Sequence, residues 1–203
     1  MNLGELRAYT RESVLRDVAT PQQWSDTDFT RWLNDAQDIF ARKTCCLLDD
    51  TSDFMQVTTV AAQRDYTLDP RIVTVFAVSD SDSWRLRKLT ATIPLIVSSG
   101  KPTAWSQRGV NSLTLWPTPD DVYTLTLLAA RLPLAPLEIE TDEPEIPGKW
   151  HLALCDWAGY RALRNTDSQS MADVRDMTIT VRKDWERALV KGRREAYFNQ
   201  RGA

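Results

Sequence analysis

The spacing of apolar residues changes twice along the chain, dividing it into a helical, a strand-rich and a second helical third. Phe29, Trp32, Leu33, Ala36, Ile39 and Phe40 recur at helical spacing, and Ser25 with Asp28 ahead of them forms a capping-box pattern, so a helix is predicted to start there. Leu3, Leu6, Val14 and Leu15 predict a shorter helix upstream, with Pro21 in the linker. From about Phe54 to Pro133 the pattern turns into short β-branched or aromatic runs: Phe54 to Val60, Ile72 to Val78, Trp84 to Leu89, Ser112 to Trp116 and Val122 to Leu128. Turn residues such as Asp69-Pro70, Ser99-Gly100-Lys101-Pro102 and Pro117-Thr118-Pro119 separate them. Strands without intervening helices predict an antiparallel sheet, sandwich or small barrel.

Between Pro133 and Pro147 four prolines and five carboxylates exclude regular structure and predict an extended acidic strap. Helical spacing returns with Trp150, Ala153, Leu154, Trp157 and Ala158. After a polar break near Asn165 to Ser170 it continues through Met171, Val174, Thr178, Val181, Trp185 and Ala188, a seam suited to packing along another helix. From Gly192 onward the chain is expected to fray into a basic tail. The resulting fold class is α+β: a helical base of two N-terminal and two C-terminal helices with an inserted antiparallel β-rich subdomain. The expected boundaries are residues 1–50 for the N-terminal pair, 51–135 for the insertion and 136–203 for strap, C-terminal helices and tail, the first and last forming one body. Phe29, Trp32, Leu33, Ile39, Trp157 and Trp185 are the expected core anchors. Of the eight tryptophans, Trp84, Trp105 and Trp116 lie in short strands beside turns and are the ones expected to be free to reach an interface.

With 203 residues, 42% of them hydrophobic and 26% charged, the chain has the composition of one folded protein with an insertion, which excludes collagen-like and wholly disordered classes. A net charge of -3 provides no global attraction to nucleic acid or anionic lipid. Charged residues from Glu5 to Asp17 interrupt any signal-peptide core, and the uncharged stretch Leu89 to Gly100 contains Pro94, so neither export by that route nor a membrane span is expected.

One histidine and three cysteines are too few for most zinc, haem or iron-sulfur sites, so no metal or cofactor is expected. The odd cysteine count and adjacent Cys45 and Cys46 point to free thiols in a reducing compartment, and Cys155 beside Leu154 reads as packed and inert. His151 has no nucleophile elbow to serve and reads as structural or surface. No phosphate-cradling glycine loop is present. The strap carboxylates are the sole candidates for acid-base chemistry, yet raising a carboxyl pKa needs burial, and a proline-rich strap is normally solvated. No catalytic residue is therefore assigned. The charge contrast is more informative. Residues 180–203 hold seven cations against three carboxylates, whereas residues 138–147 hold five carboxylates and no cation. Such polarity can steer one copy's tail towards another copy's strap, which makes Glu138, Glu140, Asp142, Glu143, Arg182 and Arg187 the intersubunit candidates.

The layout resembles the head-to-tail adaptor (connector or neck) proteins of tailed bacteriophages. The residues that carry the resemblance are Trp24-Ser25-Asp26 leading into Trp32-Leu33-Asn34-Asp35-Ala36-Gln37, the strand Tyr66-Thr67-Leu68 before a proline, and Ser99-Gly100-Lys101-Pro102 followed by an aromatic strand, Leu115-Trp116-Pro117-Thr118-Pro119-Asp120. Ile146-Pro147 before Trp150-His151 completes the set. Asp69 departs from it by standing between Leu68 and Pro70. The resemblance implies a structural, non-enzymatic virion protein at the neck, assembled in the host cytoplasm as a ring of dodecameric size. It implies docking beneath the portal protein through the C-terminal segment, for which Lys191, Arg193, Arg194, Tyr197, Phe198 and Arg201 are the candidates. Its partners would be the portal, other copies, a downstream tail or nozzle protein and DNA passing non-specifically through the channel, with no membrane and no cofactor. Two other readings stand beside it: a neck-associated peptidoglycan-cleaving glycoside hydrolase using the strap carboxylates, and a cytoplasmic scaffold unrelated to phage.

Overall fold

A computed structural model describes residues 1–18, 20–82, 84–89, 98–109, 111–164 and 171–201, with side chains outside that description at 171–178 and 196–201. The chain divides into two compact units, residues 1–47 with 133–203 and residues 48–132.

The first unit is helical. Helix α1 (Leu3–Tyr9) starts at Asn2, whose side chain accepts from the Glu5 N–H while the Glu5 carboxylate accepts from the Asn2 N–H, a reciprocal cap that satisfies two otherwise orphaned donors. A π-helical segment, Thr10–Leu15, continues it. There the Thr10 hydroxyl donates back to the Leu6 carbonyl at 2.7 Å, the kind of side-chain competition that widens a helical turn. Helix α2 (Asp26–Thr44) begins where the sequence places it: the Ser25 hydroxyl oxygen accepts from the Asp28 N–H, and the same hydroxyl donates to the Asp28 carboxylate. Cys45, at φ 55°, ends it in the left-handed region. Helix α3 (His151–Arg164) and helix α4 (Met171–Arg201) complete the unit.

Leu3, Leu6, Phe29, Trp32, Leu33, Phe40, Leu154, Cys155, Val181 and Trp185 are buried. Ile39 and Trp157 are half-buried. Phe40 lies 5.6 Å from the rings of both Trp150 and Trp185, and Trp157 stacks obliquely on Trp185 at 5.2 Å. Two glycines set how closely the helices approach. A Cβ at Gly159 on α3 would fall 2.5 Å from the Val14 side chain, and one at Gly192 on α4 would fall 2.9 Å from Thr44 and 3.1 Å from Phe40. The second contact corrects the expectation of a frayed tail. The backbone stays helical to Arg201, and Gly192 is buried against α2 because its lack of a side chain lets α4 come close. The polar break at 165–170 and the terminal Gly202-Ala203 lie outside the described residues, as do the side chains of the seam positions Met171, Val174 and Thr178.

Among the described residues the second unit holds eight strands in two sheets. In the first, β8 (Thr124–Arg131) is flanked by β4 (Ile72–Asp80) on one edge, and by β1 (Leu48–Asp49) and β2 (Gln56–Thr58) end to end on the other, all antiparallel. In the second the order is β3 (Asp65–Thr67), β7 (Ser112–Trp116), β6 (Ala104–Ser106), β5 (Arg87–Lys88). The β5–β6 pair at the edge of this sheet is parallel: residues 89–103 connect the two strands, where an antiparallel hairpin would need only a tight turn. One shared core forms, with Tyr66 opposite Leu113, Trp105 opposite Leu115 and alternate residues Leu125 and Leu127 of β8, joined by Ile72, Val75 and Val78 of β4, whose spacing of three reflects two register shifts. Asp69 has a structural role in the turn before β4, where its carboxylate accepts from the Arg71 N–H and guanidinium at 2.9 Å.

Candidate functional site

The charged candidate residues lie on the strap and helix α4, both in the helical unit. Asn34, on the half-buried flank of α2, clamps the strap: its Nδ2 donates to the Leu137 carbonyl at 2.9 Å and its Oδ1 accepts from the Leu137 N–H at 2.7 Å. Gln37, one turn on, donates to the same Oδ1. The strap then crosses the start of α1, where the carbonyls of Asp142 and Glu140 accept from the N–H groups of Leu3 and Gly4 at 2.8 and 3.0 Å. These are donors that a helix start leaves unpaired. The Asp142 carboxylate accepts from the N–H groups of Glu138 and Ile139 at 2.7 and 2.9 Å, and these bonds hold its pKa below the usual carboxylate range.

Leu137 and Ile146 anchor the strap by burial, while Glu138, Glu140 and Glu143 face water. A general acid needs a carboxyl that burial keeps protonated, and this arrangement supplies solvent to Glu138, Glu140 and Glu143 and backbone donors to Asp142. His151 fastens the end of the strap. Its Nε2 lies 2.9 Å from the Ile146 carbonyl and its Nδ1 3.0 Å from the Met1 amine, so the consistent tautomer donates from Nε2, and burial lowers its pKa. Cys155 is buried, its thiol pushed up to about 12 by burial and donating to the Leu6 carbonyl; burial also raises Cys45 and Cys46. Among the described residues no group of histidine, cysteine or carboxylate side chains could hold a metal ion, and no helix is long and apolar enough to cross a membrane.

On α4 the intersubunit candidates already have partners within the helix. Arg182 pairs with Glu186 and Arg187 with Asp184, each at 2.9 Å. Lys191, Arg193 and Arg194 are exposed; the side chains of Tyr197, Phe198 and Arg201 lie outside the described residues. The structure does not bring strap and α4 cations together within one chain: among the described residues Glu138, Glu140 and Glu143 make no ion pair, and Glu195 of α4 pairs instead with Lys149. Of the three interface tryptophans, Trp105 and Trp116 are buried in the second unit, where alternation points Trp105 inward and Arg64 stacks 4.5 Å above Trp116, whereas Trp84 is exposed.

Nothing in the residue pattern points to Asp156. Half-buried on α3, it faces Asp184 of α4, and burial followed by repulsion from Asp184 raises its pKa from 3.8 to about 7. A raised native pKa means that its stabilisation is complete below pH 3.8 and is lost as pH rises to about 7. Asp156→Asn should therefore leave stability at pH 4 nearly unchanged and raise it at pH 8 by about 1–2 kcal/mol, the full shift being discounted for partial exposure. Urea midpoints at the two pH values check this; an equal gain at both would contradict it.

Comparison with known proteins adds one assignment. The family model described as SU10 adaptor protein matches residues 1–202, a span that includes both units. No curated protein matches the chain significantly.

Proposed function

Because the chain belongs to the SU10 adaptor protein family, we propose that it is a structural head-to-tail adaptor of a tailed phage, forming a ring beneath the portal that extends the DNA channel and joins capsid to tail. The observation that carries this reading is the whole-chain family match, to which the strap and α4 add two oppositely charged surfaces on one helical unit. The portal takes the C-terminal end of α4, with Arg193 and the last turns bearing Tyr197, Phe198 and Arg201 foremost, and a tail or nozzle protein continues the assembly below. Neighbouring copies meet through opposite charges of strap and α4. Twelve copies, as implied by the resemblance, are the expected ring size.

Free in solution the chain should be largely monomeric, since among the described residues most periodic apolar side chains are buried within their own units and a template is needed to offset the entropy of association. Sizing of the purified protein with and without portal tests this. The expected result is a monomer alone and a ring on the portal; a stable ring without any partner would contradict it. A cell-wall zymogram on the same preparation should be blank, and hydrolysis abolished by a strap Glu→Gln change would favour the glycoside-hydrolase reading.

A further inference from the structure

Helix α4 has an outward face that its own unit leaves uncovered. Val181, Trp185 and Gly192 are buried on one side. Lys183, Arg187, Val190, Lys191 and Arg194 fall opposite them and, with Glu186, line a shallow concavity. Its centre is apolar: Val190 is 53% exposed. Arg187 is engaged by Asp184, but among the described residues Lys183, Lys191 and Arg194 have no ion-pair partner.

The strap presents the inverse of this pattern. Ile139 is 62% exposed, stands between Glu138 and Glu140, and has Glu143 close by in sequence. The loop is held in shape from beneath, since Asp142 accepts from the N–H groups of Glu138 and Ile139 and its own carbonyl is bonded to the start of α1. A preformed loop loses little entropy when it docks.

We propose that the Ile139 loop of one copy seats on the outward face of α4 of the next copy, with Ile139 against Val190 and Glu138, Glu140 and Glu143 among Lys183, Lys191 and Arg194. This rests on the ring assembly proposed above and specifies its contact. Opposite charge surrounds an apolar centre on each side, so the two surfaces are complementary in both respects. They are different surfaces, which makes the contact heterologous: it repeats from copy to copy and closes only if the rotation closes. Arg182, tied to Glu186, drops out of the intersubunit set, and Lys191 and Arg194 move from the portal contact to the contact between copies.

Three variants test the contact: Glu138→Lys with Glu140→Lys and Glu143→Lys, Lys183→Glu with Lys191→Glu and Arg194→Glu, and one chain carrying all six changes. All six positions are exposed, so melting temperatures should be unchanged. Assembly on the phage's portal at low salt should fall about tenfold or more for each triple variant and return to within about threefold of wild type in the chain with all six. A second readout is oxidation of a chain carrying Ile139→Cys and Val190→Cys. It should yield a ladder of oligomers, whereas a mixture of the two single variants should stop at dimers and the wild type, with its native cysteines, should give neither. If the wild type assembles and the triple variants assemble equally well, or the doubly substituted chain gives no ladder, this contact is wrong and the ring reading survives. If the wild type itself does not assemble on the portal, the ring reading falls and the contact with it.

Discussion

Trp32→Ala should cost about 3–5 kcal/mol, the loss expected when a large aromatic side chain is removed from a packed core, and so a large share of a typical stability of roughly 5–15 kcal/mol. Trp32 is 2% exposed at the middle of α2, with the edge of Phe29 meeting its ring at 5.5 Å and an interplanar angle of 87°. Removal would leave a cavity that the surrounding helices cannot fill, because Gly159 and Gly192 already hold α3 against the first helix and α4 against α2 at the limit of contact. The expected product is insoluble or loosely packed protein with a strongly lowered urea midpoint. Normal stability in this variant would mean that the apolar face of α2 is an assembly surface and not core.

Arg11→Met should cost a similar amount for an electrostatic reason. Arg11 is 7% exposed and closes the connection between α1 and α2: it donates to Asp17 at 2.9 Å, to Asp26 at 2.6 Å and to the Trp24 carbonyl at 2.9 Å, with its guanidinium 4.5 Å above the Phe29 ring. The methionine would leave the Asp17 carboxylate, 5% exposed, without its counter-charge, and breaking a buried pair from one side costs about 3–5 kcal/mol. Asp26 contributes little to this, since it is 63% exposed and water replaces its partner. Arg11→Met with Asp17→Asn should recover roughly half of the loss or more, because no uncompensated charge remains. Chemical denaturation of the wild type and the two variants decides it. A cost below about 1 kcal/mol for Arg11→Met alone would show that solvent reaches Asp17.

How far the sequence foretells this structure depends on the range of each interaction. Helix α2 is legible because its cap and apolar period are local: Ser25 and Asp28 are three residues apart and the face repeats within every turn. Strands β4, β7 and β8 are legible for the same reason, as β-branched or aromatic runs between turn residues. The parallel β5–β6 pair is not, since two- and three-residue strands owe their existence to a neighbour distant in sequence. Gly192 shows the limit at its sharpest. A glycine near the end of a helical pattern reads as a stop, but here the missing side chain is what lets α4 lie on Phe40 and Thr44. In the assembly surfaces, the charge contrast between strap and α4 could be read from composition. The Asn34 clamp could not, for Leu137 is distant in sequence and a lone asparagine on a helix carries no sign of what it will bond. The free cations on α4 were partly within reach: placed on a helical wheel, Lys183, Lys191 and Arg194 fall opposite Val181 and Trp185, whereas Arg182 and Arg187 stand at the spacing that favours partners on their own helix.

The ring proposed beneath the portal, built from a chain with no catalytic role, is open to cryo-electron microscopy of the virion that carries it. The predicted image has copies of the α1–α4 body arranged as a closed ring on the tail side of the portal, the C-terminal turns of α4 touching it and the Ile139 loop of each copy against α4 of the next. A neck in which this chain is absent, or present as isolated copies away from the portal, would contradict the account.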